Sequence, residues 1–269
     1  MKPAVTDRAA LLTELGFRFG NNGPHAARTM MFDDLRILFA DAPASAGREV
    51  YADAVVQRNI LGKPTKKARE LALRHLAALY GLDPALAVFR ALRRYWTADQ
   101  AAQPVLALTT SLARDPLLRS TRDFILAKLP GTPVSREETE RLLAHAHPDR
   151  FSPASLKSFA QNVLGTWTAA GFLSGKARKT RVAPTIRPAN VALCLFLGHL
   201  EGRSGQRLFS SDWMRLIGLS GAELESQASA ASHRGLLVFM NAGGVKEVRF
   251  PGFLNAEEEK TRLEVSRVV

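Results

Sequence analysis

Apolar residues recur with the period of an α-helix along most of this 269-residue chain, and this pattern restricts it to a mainly helical fold. The segments between about residues 25 and 130 carry helix start and stop signals. Thr65 precedes one of these segments as an N-cap, and Gly81 and Pro84 follow it. We predict a helical body over residues 1–130, with a possible helix-turn-helix near residues 50–80.

The pattern changes after the segment LPGTPV, which we interpret as a linker. Ser135 and Glu138 form a capping box at the start of one helix. The next helix has apolar residues at ideal amphipathic spacing: Leu156, Phe159, Ala160, Val163, Leu164 and Trp167. The stretch GFLSGKARKTRVAPTI then predicts two short strands around a basic turn. Because helix, turn, helix and basic hairpin is the order of a winged helix-turn-helix, we predict such a domain over residues 131–187.

The C-terminal third repeats this order of elements. The segments ANVALCLFLGHLEG, SSDWMRLIG and SGAELESQASAASHRG predict three helices. LLVFMNAG and VKEVRFP predict a β-hairpin with the turn NAGG. We therefore predict a second helical domain over residues 188–256 that ends in a hairpin, and a polar tail over residues 257–269.

Positive charge is concentrated in one part of the sequence. Between Arg150 and Leu200 there are seven Lys or Arg residues and no Asp or Glu. The whole chain has a formal charge of +12 and a pI of about 10.4, which favours a polyanionic partner, nucleic acid ahead of membrane. A solvated basic loop is the alternative interpretation, but a merely soluble surface mixes its charges. The missing acids favour contact with nucleic acid.

The candidate DNA-binding residues lie on three segments. If the apolar face of the amphipathic helix is buried, its outward polar residues are suited to a major groove. The basic residues of the hairpin would lie against the sugar-phosphate backbone. A second basic helix start follows a Gly-containing turn, where a solvated helix end is an equally good interpretation. The candidates are Ser155, Lys157, Ser158 and Gln161 (with Asn162 on the same face), then Lys176, Arg178, Lys179, Arg181 and Arg187, and finally Lys66, Lys67 and Arg69.

Several other functions find no support in the residues. The single cysteine, Cys194, excludes an internal disulfide and is expected to be buried. His145, His147 and Asp149 suggest a metal site, but histidines two residues apart point to different sides of a helix. No catalytic or phosphate-loop motif occurs, and no segment has the pattern of a signal peptide or membrane span. We predict a cytoplasmic, non-enzymatic protein without metal, cofactor or small-molecule substrate.

Three stretches resemble a known family: VVQRNILGKPTKKARELALRHLAALYGLDPALAVFRALRRYW, DPLLRSTRDFIL and RFSPASLKSFAQNVLGTWTAAGFLSG. Over roughly residues 25–190 they are similar to the BrxA proteins (the DUF1819 group) of BREX bacteriophage-exclusion systems. The resemblance implies a small non-enzymatic component with helix-turn-helix-like domains that binds DNA beside a methyltransferase and large ATPases. It implies DNA-facing roles for Lys66, Lys67, Arg69 and Lys157, and leaves the role of residues 190–269 open.

These observations favour binding of duplex DNA within an anti-phage assembly. Two alternatives remain at this point. The basic surface could meet an acidic partner subunit, as in a protein-interaction scaffold, or the chain could bind RNA in the manner of NusB, to which BrxA has been likened. An RNA-binding surface would expose aromatic residues for stacking, whereas Phe159 and Trp167 fall on the apolar face.

Overall fold

A computed structural model describes residues 7–268 and has a mainly α fold with short hairpins, as predicted. Two parts of the chain lie outside the described residues. They are Met1 to Thr6, at the N-terminal end that we predict to lack a signal peptide, and Val269, at the end of the predicted tail. The helices are α1 Arg8–Glu14, α2 Phe32–Asp41, α3 Arg48–Ala52, α4 Lys66–Tyr80, α5 Ala87–Ala98, α6 Gln103–Arg114, α7 Pro116–Arg119, α8 Arg122–Ala127, α9 Arg136–Ala146, α10 Pro153–Ala169, α11 Pro188–Leu200, α12 Gln206–Phe209, α13 Asp212–Ile217, α14 Gly221–His233 and α15 Ala256–Arg267. The strands are β1 Pro133–Val134, β2 Leu173–Ser174, β3 Lys179–Arg181, β4 Val238–Ala242 and β5 Val245–Arg249.

The described residues form two compact units, each assembled from separate stretches of the chain. The central unit contains Gly20–Pro84 and Thr110–Thr185. The terminal unit contains Ala85–Thr109, together with the described residues up to Phe19 and from Ile186 onward. The division therefore falls inside the helical body that we expected over residues 1–130, because α5 packs on α11 and α1 packs on α15. The boundary at residue 186 lies close to the expected one at 188.

The central unit contains a three-stranded antiparallel sheet in the order β1-β3-β2. Pro133 pairs with Thr180 and Val134 with Lys179, while Leu173 pairs with Arg181. With α9 and α10 between β1 and β2, this is the arrangement of a winged helix-turn-helix. The segment LPGTPV is therefore not only a linker, since it contains strand β1, in which Val134 is buried.

A buried polar cluster fixes α10 within the central unit. His25 Nδ1 lies 2.8 Å from Asp115 Oδ2, and His25 Nε2 lies 2.8 Å from Thr166 Oγ1 on α10. Thr166 Oγ1 also accepts a hydrogen bond of 2.8 Å from the Met30 amide. Burial alone would raise the pKa of Asp115, but its hydrogen bonds with His25 and the charge of His25 lower that pKa below its ordinary value. The cluster sets which face of α10 is turned outward.

The terminal unit is built around α11, whose residues are almost all buried. Helices α5, α13 and α14 pack against it, and β4 and β5 form the predicted hairpin. Cys194 lies buried in α11, as predicted. The segment predicted to be a polar tail, either a short terminal helix or a frayed end, forms the helix α15, which has its own capping box of Asn255 and Glu258 and buries Val265.

Among residues 7–268, no helix is both long and apolar enough to cross a membrane.

Candidate nucleic-acid interface

A groove of about 900 Å³ lies in the central unit between α10, the loop that joins β2 to β3, and the start of α9. We call it the wing groove. Its polar lining residues are Ser135, Arg136, Glu137, Lys157, Gln161, Lys176, Arg178 and Lys179. Five of these eight residues carry a positive charge.

Helix α10 forms one wall of the wing groove. Ser152 caps this helix, because its Oγ accepts a hydrogen bond of 3.2 Å from the Ser155 amide, and Pro153 occupies the first turn. Phe159 and Trp167 are fully buried on the inner face. Lys157 and Gln161, one turn apart, are exposed and line the groove. The helical period thus correctly predicts that these two side chains point outward.

Three other residues predicted for the outward face have different surroundings. Ser155 is half-buried, and its Oγ lies 3.0 Å from Ser152 Oγ, so it belongs to the helix start. Ser158 is exposed but does not line the wing groove. Asn162 is half-buried and donates a hydrogen bond of 3.2 Å to the His25 carbonyl, which corrects its expected outward orientation.

The loop between β2 and β3 forms the opposite wall. Gly175 has a φ of +95°, and a Cβ atom there would lie 2.1 Å from the Arg178 carbonyl oxygen, so only glycine fits this turn. Lys179 Nζ donates a hydrogen bond of 2.6 Å to the Gly175 carbonyl and closes the loop. Lys176 and Arg178 remain exposed. Within residues 7–268, neither these two side chains nor Lys157 forms an ion pair.

Arg181 does not belong to the exposed wing surface, and the expectation that it contacts DNA is corrected here. Its side chain is buried at the end of β3, opposite Leu173. The guanidinium donates a 3.2 Å hydrogen bond to the Phe172 carbonyl and a further one to the Val182 carbonyl, and it lies 5.2 Å from the centre of the Phe172 ring. Burial lowers the pKa of Arg181 below its ordinary value. This arginine stabilises the wing from inside.

Arg187 does not line the wing groove either. It belongs to the terminal unit, where it immediately precedes α11. Its Nε donates a hydrogen bond of 3.0 Å to Asp99 Oδ2, an acid that also lies 3.5 Å from Arg234 Nη1. The acid-free strip of the sequence therefore continues into a second unit, where its last arginine is paired with an acid from a distant segment.

The second basic cluster lies at the start of α4, and none of its residues lines the wing groove. Lys66 and Lys67 are exposed beside Thr65, whose Oγ1 caps the helix with a 3.1 Å hydrogen bond from the Ala68 amide. Arg69 is half-buried and donates a 3.2 Å hydrogen bond to the Val56 carbonyl. This bond joins α4 to the π-helical turn Asp53–Gln57. Within residues 7–268, Lys66 and Lys67 form no ion pair, whereas Arg69 is structural.

The sequence did not identify the start of α9 as part of the site. Ser135, Arg136 and Glu137 enter the wing groove because β1 pairs with β3. Glu137 is an acid inside a largely basic groove, and Arg136 Nη2 lies 2.7 Å from its Oε1. The hydrogen bond with Arg136 lowers the pKa of Glu137 below its ordinary value. The carboxylate is therefore ionised and already paired.

The histidine motif after α9 has a structural environment. His145 is exposed in the last turn of α9, whereas the ring of His147 packs near Phe151 and Phe159. Burial lowers the pKa of His147 below its ordinary value. Within residues 7–268, no group of three or more His, Cys, Asp or Glu side chains is arranged to hold a metal ion.

The hairpin regions of the central and terminal units differ in charge, although their helices and strands follow each other in a similar order. Helix α10 carries Lys157 and no acid, whereas α14 carries Glu223 and Glu225 and no Lys or Arg. The central unit has 21 Lys and Arg against 13 Asp and Glu, and the described residues of the terminal unit have 15 against 12. The excess of positive charge is therefore larger in the central unit.

No protein-family model matches this chain, and a comparison with curated proteins gives no match.

Proposed function

We propose that this chain binds duplex DNA through the wing groove, as a non-enzymatic component of an anti-phage assembly of the BREX kind. The observation that carries the proposal is the position of Lys157, Lys176 and Arg178 around one groove, with no carboxylate paired to any of them within the described residues. A winged helix-turn-helix is an arrangement that presents one helix and one loop to DNA.

In the proposed mechanism, α10 enters the major groove, which is roughly 12 Å wide and admits an α-helix. Lys157 and Gln161 would face the base edges, since they are the exposed groove residues of that helix. Lys176 and Arg178 would lie against the phosphates, and their binding would release condensed counterions. Because few side chains reach the bases, most of the affinity would come from the backbone and sequence preference would be limited.

The surroundings of the aromatic residues support DNA over RNA as the ligand. Single-stranded RNA is recognised by stacking its bases on exposed aromatic side chains. Phe159 and Trp167 are fully buried on the inner face of α10, and no aromatic side chain lines the wing groove. The groove offers cations and one amide, which suit a phosphate backbone and a base edge.

The proposed place in a phage-defence assembly depends on the resemblance to BrxA. In that setting the chain would bring DNA to a methyltransferase and an ATPase without catalysing a reaction itself. Deleting the gene from its host should then raise the plating efficiency of phages that the host restricts. An unchanged plating efficiency would contradict the phage-defence part of the proposal. It would not contradict DNA binding, which is tested separately with purified protein.

The binding proposal is tested by fluorescence anisotropy of labelled duplex DNA over a range of salt concentrations. The variant carries Ala at Lys157, Lys176 and Arg178; Arg181 is left unchanged because it is buried, and Lys179 because its amine closes the loop. If these side chains neutralise three phosphates, the log–log salt slope should fall in magnitude by about 2 to 3.

A matched control removes the same number of charges from elsewhere. Arg141, Arg207 and Arg267 are exposed and do not line the wing groove. Their replacement by Ala lowers the net charge equally and should leave most of the slope in place. If both variants lose the same slope, only the overall charge matters. If the unmodified chain shows no salt-dependent binding of duplex DNA, the proposal is wrong, and an acidic protein partner or single-stranded RNA becomes the next ligand to test.

A further inference from the structure

The hairpin of the terminal unit has one covered face and one open face. Side chains of paired residues lie on the same face of a sheet, and successive residues alternate. Phe239 pairs with Val248 and Asn241 with Lys246, so these residues share one face. That face is covered, since the Phe239 ring packs with its centre 5.5 Å from that of the Phe209 ring.

Polar contacts cover the same inner face. Lys246 Nζ lies 2.6 Å from Glu225 Oε1 on α14 and 4.8 Å from the centre of the Phe209 ring on α12. Asn241 Nδ2 donates a 2.8 Å hydrogen bond to Glu225 Oε2. The inner face is therefore held by α12 and α14, which fixes the direction in which the other face points.

The outer face is apolar at the end of the hairpin. Met240 pairs with Glu247, and Ala242 pairs with Val245 beside the Gly243–Gly244 turn, so these residues lie together on that face. The side chain of Val245 is 74% exposed and that of Met240 is 43% exposed. They are two of the seven large apolar side chains exposed among the described residues. Apolar side chains that lie together on an exposed face are typical of an interaction surface.

Charge on this face identifies the partner that fits it. Glu247 and Arg249 lie two residues apart on the same side of β5, with Arg249 Nε 3.1 Å from Glu247 Oε1. Each is more than half exposed. In a two-fold contact, the same patch of both molecules meets itself, so an acid beside a base is matched by a base beside an acid. The apolar cluster would meet its own copy with no like charges opposed, although the chain as a whole carries +12.

We infer that the outer face of this hairpin binds a second copy of the chain, with Met240 and Val245 at the centre and Glu247 of each molecule opposite Arg249 of the other. One face of a hairpin with two five-residue strands is smaller than the roughly 800 Å² per partner of a standard interface. The association is therefore weak and reversible. This inference does not depend on DNA binding, because the residues involved lie in the terminal unit.

The test is sedimentation equilibrium of the full chain without DNA, up to about 100 μM, where an association of micromolar strength populates the dimer. Val245→Glu should weaken the dimer by roughly tenfold or more, since it buries two like charges at the contact. Leu129→Glu is the matched control, because Leu129 is 75% exposed but lies in the central unit, and it should leave the association unchanged.

Charge reversal separates a two-fold contact from a loss of folding. Glu247→Arg places two positive charges on the face, and Arg249→Glu places two negative charges there, so each variant alone should be monomeric. An equimolar mixture of the two variants should associate again, because opposite faces then meet. Circular dichroism checks that each variant is folded. A wild-type chain that stays monomeric up to about 100 μM, or a mixture that does not associate, overturns the inference.

Discussion

At the scale of single residues, Gly175 determines whether the wing can form. Two glycines in this region have positive φ angles, Gly171 at +80° and Gly175 at +95°. A Cβ atom at Gly171 would meet nothing within 4 Å, whereas one at Gly175 would lie 2.1 Å from the Arg178 carbonyl oxygen. Gly171→Ala therefore adds backbone strain alone, and Gly175→Ala adds the same strain and a clash with the backbone.

We expect Gly171→Ala to lower the free energy of unfolding by about 1–2 kcal/mol, the usual cost of a left-handed non-glycine residue. Gly175→Ala should cost at least about 1 kcal/mol more, because the loop must shift to remove the clash. Urea unfolding of both variants measures the difference. If the two variants lose the same stability, the tight turn at Gly175 is not required for the fold of the wing.

Single residues of the site also differ in how well the sequence predicts their orientation. Lys157 and Gln161 were predicted correctly as outward-facing, because the apolar residues from Phe159 to Trp167 define the buried face of α10. Strand β3 has only three residues, which is too short for a period to distinguish buried from exposed positions. A buried arginine such as Arg181 is rare, so its sequence context gave no warning. Its burial is evident only from the Phe172 and Val182 carbonyls around it.

At the scale of secondary-structure elements, the start of α9 contributes a stabilising ion pair beneath the wing. Glu138 closes the capping box with Ser135, and its Oε1 lies 2.9 Å from Lys128 Nζ. The hydrogen bond from Lys128, followed by that from the Ser135 amide, lowers the pKa of Glu138 from 4.5 to about 2. Since the pKa is lower in the folded state, the contribution is present above about pH 5 and is lost as the pH falls towards 2.

Glu138→Gln should therefore lower the free energy of unfolding at pH 7 by about 0.5–1 kcal/mol. The amide can still accept the capping hydrogen bonds but cannot pair with Lys128. The difference from wild type should shrink as the pH falls from 5 to 3. Glu223→Gln is the control, because Glu223 closes the same kind of box with Ser220 without a lysine partner among the described residues. An equal loss in both variants, or a Glu138→Gln loss that does not change with pH, would contradict this account.

The helices and strands differ in how well the local sequence predicts them. Long amphipathic helices and the glycine-marked hairpin of β4 and β5 were predicted from periodicity and turn residues. Strand β1 was missed because two residues have no pattern of their own, and their extended structure depends on pairing with β3, more than 40 residues further along the chain. The capping box at Ser135 was visible in the sequence, but the entry of Arg136 and Glu137 into the wing groove follows from that pairing.

At the scale of the whole molecule, the chain is divided by contacts between distant segments. The sequence suggests that residues 188–256 form a separate domain, but α5 belongs to the same unit as α11. The ring centre of Tyr95 lies 5.4 Å from that of Phe253, and its hydroxyl donates a 3.1 Å hydrogen bond to the Leu236 carbonyl. Arg90 on α5 also pairs with Glu258 on α15. Such pairings between residues more than 140 positions apart leave no local signal in the sequence.

This organisation predicts how truncated chains behave. A fragment of residues 1–187 keeps α5 but lacks α11 and Phe253, which pack against it, and we expect the buried side chains of Phe89, Leu92 and Tyr95 to become exposed. Exposing three such side chains costs about 5–9 kcal/mol, which is comparable with the entire stability of many domains, about 5–15 kcal/mol. We expect this fragment to aggregate or to bind a hydrophobic dye, although it contains every segment of the central unit.

A fragment of residues 1–255 provides the graded comparison. It loses α15, including the buried Val265 and the partner of Arg90, but retains Leu236 and Phe253 beside Tyr95. It should therefore remain folded with a lower midpoint of thermal unfolding. Native-state hydrogen exchange of α5 distinguishes the cases, since its amides should be protected in the full chain, less protected in the longer fragment and unprotected in the shorter one. Full protection of the α5 amides in residues 1–187 would mean that this helix does not depend on the C-terminal segment. The domain boundary predicted near residue 188 would then describe the stability of the chain better than the contacts of α5 do.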